Sequence, residues 1–174
     1  MTESDEHWEE RVAACWSKAA GMRSEELVRQ IDEIASARPS GDARALFERA
    51  CARDTAGWEA DAEPLYRAAL AAAPLDEMRR ARAIIQLAST LRLLGRLEES
   101  EQLLRAELDR ASTTNAYLLH DETRAFLALT LLAQGRAVEA AVLSLTALAP
   151  HLTRYTRAVR ENAAELGSRA ATAN

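Results

Sequence analysis

Apolar residues recur along this chain at three- and four-residue intervals, the spacing that lines one face of a helix. The clearest run spans residues 81 to 108, ARAIIQLASTLRLLGRLEESEQLLRAEL. It predicts two amphipathic helices meeting at Gly95, with Ile84, Leu87, Ala88, Leu91 and Leu94 on the first and Leu97, Leu103, Leu104 and Leu108 on the second. Comparable stripes precede it: Trp8, Val12, Cys15, Trp16 and Ala19 over residues 5–20, then Leu27, Ile31, Ile34 and Ala35 after a start at Ser24. Leu46, Phe47, Ala50 and Cys51 follow Asp42, a good N-cap, and Ala62, Leu65, Tyr66, Ala69 and Leu70 follow Trp58. Beyond the centre, predicted helices carry Leu118, Leu119, Leu127, Ala128, Leu131 and Leu132, then Val138, Ala141, Val142, Leu145 and Leu148, and last Tyr155, Val159, Ala163 and Leu166. Breaks fall at Gly21, at Arg38-Pro39-Ser40-Gly41, at Pro74, at the polar loop Ser112-Thr113-Thr114-Asn115 and at Pro150. Pro64 sits within the first two turns of its helix, where a missing N–H is tolerated. No run has the alternating, β-branched character of a strand, so the fold class is all-α.

Three corners repeat. GWEADAEPLYRAAL, GRLEESEQLLRAEL and GRAVEAAVLSLTAL each place a glycine (Gly57, Gly95, Gly135) where one helix ends, and each closes on a leucine (Leu70, Leu108, Leu148). The glycines are 38 and 40 residues apart, near the tetratricopeptide period with a few residues added between repeats. Against the pattern W-x2-L-G-x2-Y, A-x3-F, P, the central repeat offers Ile84, Leu87, Ala88, Leu91, Ser100 and Leu104. The first offers Ala62, Tyr66 and Pro74, but has Arg49 and Arg53 where apolar residues are usual; the third offers Leu127, Ala128, Leu131 and Ala140, with Ser144 replacing the aromatic. On these residues the chain resembles tetratricopeptide-repeat (TPR) proteins over roughly residues 24 to 166, and is similar to a small bacterial subgroup of about this length. The resemblance implies a right-handed α-solenoid of about three helix pairs with N- and C-terminal capping helices. The expected organisation is an N-terminal helical extension over 1–22, a repeat domain over 23–170 and a frayed tail at 171–174.

Composition changes the picture in two ways. Of the 174 residues, 48% are hydrophobic but only 5% aromatic, so the core is built from leucine and alanine, the latter roughly a fifth of the chain and the best helix former. The net charge of −5 disfavours nucleic acid and anionic membranes as partners. Lys18 is the single lysine, every other basic side chain except the three histidines being arginine, a donor suited to carboxylates. Cys15 and Cys51 are isolated, no secretory h-region opens the chain, and residues 137 to 149 are too short to span a bilayer; the expectation is a soluble, cytoplasmic, reduced protein.

Candidate chemistry is sparse. His7, His120 and His151 are far apart, and consecutive His120-Asp121-Glu122 cannot converge on one ion from a helix; Asp121 and Glu122 read as a helix start. No phosphate-binding or nucleophile motif is present, so no catalytic residue, cofactor or metal is assigned and a non-enzymatic role is expected. In TPR proteins the first helix of each pair lines the concave face. That resemblance implies a partner-binding set of Arg44, Phe47 and Glu48 in the first repeat, Arg82, Gln86, Ser89 and Arg92 in the second, and Phe126 and Leu129 in the third. A protein or peptide segment with a carboxylate beside a hydrophobic residue fits this set, which makes the chain an interaction scaffold or adaptor. Two other readings stay open: a homodimer formed through the Trp8/Trp16 face or a repeat edge, and a regulatory domain binding a small acidic ligand.

Overall fold

The computed structural model describes residues 4–114 and 118–172. Among them lie nine α-helices and no strand: α1 (Asp5–Trp16), α2 (Ser24–Ala35), α3 (Ala43–Thr55), α4 (Glu59–Ala71), α5 (Glu77–Leu93), α6 (Leu97–Thr114), α7 (His120–Ala133), α8 (Ala137–Leu148) and α9 (Thr156–Thr172). The fold is all-α and built from neighbouring helices in sequence order. Residues gather into two compact units, Met1–Thr90 and Leu91–Asn174.

In the first unit, α1, α2 and α3 enclose a core of Trp8, Val12, Cys15, Leu27, Val28, Ile31, Ile34, Ala35, Ala45 and Ala52. Trp8 is completely buried, and its indole N–H donates to the Ile34 carbonyl at 3.1 Å, so that the buried ring leaves no polar atom unpaired. Trp16 is half-buried against the same core. Asp42 caps α3 through Oδ1, which accepts from the amides of Arg44 and Ala45 at 3.0 Å. Arg49 and Arg53, at positions where apolar residues are usual, both reach Asp32 on α2. Phe47 on α3 meets Tyr66 on α4 with ring centroids 6.3 Å apart, and both rings are fully buried. In the second unit, α6, α7, α8 and α9 pack in succession, and Leu104, Leu127 and Leu131 are fully buried. The small positions Ala62, Ala88, Ala128 and Ala140 are all buried, at 0%, 0%, 3% and 1% exposure, which is what close helix contact demands.

The three corners share one geometry. Gly57, Gly95 and Gly135 have φ of +73°, +77° and +79°, the left-handed region that a side chain resists. At each, the amide after the glycine donates five residues back: Trp58 to Arg53, Arg96 to Leu91, Arg136 to Leu131, at 2.9, 2.8 and 2.8 Å. The glycine amides donate three residues back, to Asp54, Arg92 and Leu132, completing a Schellman motif that satisfies the orphan carbonyls of the helix end. The links at these corners are three residues long, Ala56–Trp58, Leu94–Arg96 and Gln134–Arg136.

Three sequence expectations shift. Helix α6 continues through Thr114, so Ser112-Thr113-Thr114 is helical and not a loop; the Thr113 hydroxyl bonds the Arg110 carbonyl at 2.9 Å, which keeps a β-branched polar residue compatible with the helix. Asn115 lies outside the described residues. Leu118 and Leu119 precede α7, and Leu119 has φ of +53°, which breaks the helical phase. Tyr155 likewise precedes α9, with φ of +66° and 76% exposure; it belongs to no buried stripe.

Candidate partner-binding face

In the first unit α3 and α5 lie side by side. The Arg82 guanidinium sits 5.1 Å over the Phe47 ring. The Cys51 thiol donates to Gln86 Oε1 at 3.4 Å, and Thr90 Oγ1 lies 3.2 Å from Asp54 Oδ1. These pairs are 35, 35 and 36 residues apart, about one repeat, so α3 and α5 align along one face.

The proposed binding residues differ in exposure. Arg82 is exposed, and Gln86 and Ser89 are half-buried. Phe47 is completely buried and Glu48 only 5% exposed, so they support the surface from beneath. Arg44 is held by Asp5 and Glu9 of α1 at 3.1 and 3.4 Å and stacks 5.7 Å from the Trp8 ring. In the second unit Arg92 and Phe126 are half-buried. Leu129 and Leu132 stand 45% and 52% exposed, giving α7 an apolar stripe open to a partner.

The sequence reading missed the acidic side of α1. Asp5 and Glu9, one turn apart, meet Arg38, Arg44 and Arg79. Arg79 also pairs with Asp76 at 3.0 Å and reaches Glu48 at 3.5 Å. Glu48 Oε2 accepts from the Trp16 indole at 2.7 Å; burial raises its carboxyl above the usual range, against the pull of that bond and of Arg79 and Arg82. Spacing of four residues in α1 was a visible sign of one acidic face; partners 33 to 70 residues distant leave no local signal.

Burial also pushes the Cys51 thiol up to about 12 and raises Cys15. Both free cysteines are buried and protonated at neutral pH, so they behave as small core residues. His120 stands in the first turn of α7, while Asp121 bonds His151 and Arg124, each at 3.0 Å. Among the described residues no three His, Cys, Asp or Glu side chains converge on a point that could hold a metal, and no helix is long and apolar enough to cross a membrane.

A family model described as the tetratricopeptide repeat matches residues 43–166, from the first residue of α3 into α9. The chain is a tetratricopeptide-repeat protein. No curated protein and no solved structure matches it. The TPR match takes in all three corner glycines and leaves α1 and α2 outside. Those two helices nevertheless share the first unit's core with α3. TPR modules serve in general as protein-interaction scaffolds and are typically non-catalytic, and that role fits a face of aligned first helices.

Proposed function

We propose that this TPR protein is an adaptor that holds a segment of a partner protein on exposed surfaces of its first helices. The observation that carries the reading is Arg82, an exposed guanidinium stacked over a fully buried aromatic ring. The ring orients the planar fork of an exposed side chain, which suits it to receive a carboxylate. Gln86, one turn along, offers an amide beside it. In the second unit Phe126 and Leu129 supply apolar contact. Each unit has its own preference: the α3–α5 face suits a segment bearing a carboxylate, and the α7 stripe suits a hydrophobic side chain.

Peptides selected from a random library against the wild-type protein provide the test. Arg82→Glu and Leu129→Asp change exposed residues, so the helical circular dichroism should be unchanged. Arg82→Glu should weaken the selected peptides that carry a carboxylate, and Leu129→Asp those that carry a hydrophobic anchor, by about tenfold or more, the cost of reversing a contact charge or burying an unpaired one. Wild-type affinity in both variants would rule both surfaces out.

A further inference from the structure

Helix α9 begins against its own electrostatics. A helix N-terminus favours carboxylates in its first turn, yet the first turn of α9 has none. Residues 151–160 carry His151, Arg154, Arg157 and Arg160 and no Asp or Glu, in a chain of net charge −5. Arg157 pairs with Glu161 at 2.7 Å, but the two side chains are 90% and 61% exposed, so the pair is weak. Arg154 and Arg160 are exposed and form no ion pair among the described residues. Between them stands Tyr155, 76% exposed, the most exposed large hydrophobic side chain among the described residues. His151, four residues before it, bonds Asp121 at 3.0 Å, which fastens the α8–α9 connection to the first turn of α7. The tyrosine, so exposed, adds nothing to the core. Local choices that work against the fold are found where a surface serves another purpose.

We propose that Arg154, Tyr155 and Arg160 form a second docking surface, separate from the first-helix face, for an acidic segment of a partner protein. Charge complementarity selects the occupant. Carboxylates would pair with the exposed guanidiniums through bidentate bonds, and a tyrosine supplies rigid amphipathic contact at small entropic cost. An anionic bilayer is the poorer match, since lipid recognition draws on clusters of four or more basic residues.

The probe is a fluorescein-labelled peptide of eight glutamates around one tryptophan, titrated by anisotropy against the full chain. Wild type should bind, with affinity falling as salt rises. Arg154→Glu combined with Arg160→Glu should weaken binding about tenfold or more, and Tyr155→Ala should weaken it several-fold, with circular dichroism unchanged. Lys18→Glu, at an exposed basic residue that belongs to neither surface, should leave this binding as it is. The proposal is overturned if wild type does not bind at low salt, or if the double variant binds as well as wild type. It is equally overturned if only Lys18→Glu reduces binding, or if the chain binds phosphatidylserine vesicles and not the peptide.

Discussion

The carboxyl of Asp54 sits between two hydroxyls, one of which has a second acceptor within reach. Tyr66 donates to Oδ2 at 3.2 Å, while Thr90 Oγ1 lies 3.2 Å from Oδ1 and 2.9 Å from the Gln86 carbonyl. Thr90 has one proton. If it goes to Gln86, Oδ1 needs a proton of its own, and burial raises the Asp54 carboxyl in the same direction, against the hydrogen bonds from Thr90 and Tyr66. A folded-state value above the unfolded one gives stability that is fully present below about pH 4 and is lost as pH rises through the folded value. Asp54→Asn should therefore stabilise at pH 7 by about 1 kcal/mol, or about 2–4 °C in Tm, its amide donating to Thr90 and its oxygen accepting from Tyr66. A Tm several degrees below wild type would show that the ionised form is the one the site holds. Phe47 and Tyr66 were legible as core residues from their spacing. This hydroxyl chain was not, because its members come from positions 54, 66, 86 and 90.

At the scale of elements, the corners were the most legible feature. A glycine ending an apolar stripe reports a left-handed residue directly, and all three have that conformation. A Cβ at Gly95 would meet nothing within 4 Å, so Gly95→Ala isolates the backbone term and should cost about 1–2 kcal/mol, read as a shift in urea midpoint. An unchanged midpoint would mean that the corner relaxes into another turn. Where the left-handed residue is not glycine, the pattern misleads. Leu119 and Tyr155 are apolar and fall in phase with the stripes that follow, yet their positive φ turns them off the helix. Helix α1 shows the opposite case: Trp8, a candidate contact residue by sequence, is the most thoroughly buried ring of its core, its place fixed by a carbonyl 26 residues on.

For the molecule as a whole, arginine–carboxylate pairing dominates the response to acid. Arg53 and Arg49 hold Asp32 below its ordinary range, although burial alone would raise it; Asp42, Asp76, Glu101 and Asp121 are held down in the same way by their amide, arginine, glutamine or histidine partners. Groups with depressed folded values contribute stability that is present above about pH 4 and disappears as pH falls through those values. The urea midpoint should accordingly drop between about pH 5 and pH 3, and drop less in 1 M salt, where the exposed pairs are screened already. A midpoint flat across that interval would show that these pairs persist when the chain is unfolded. The family and its helical class followed from local pattern; the pairing behind the acid response did not, since a guanidinium can reach carboxylates in any neighbouring helix. The three-residue corners carry one further consequence. Connections between pairs vary, five residues between α4 and α5 and seven between α8 and α9, whereas every corner inside a pair is the same length. Insertions and deletions should therefore accumulate during evolution at the variable joints, with the helix pair inherited as a unit, and a single codon added beside Gly57, Gly95 or Gly135 should be purged.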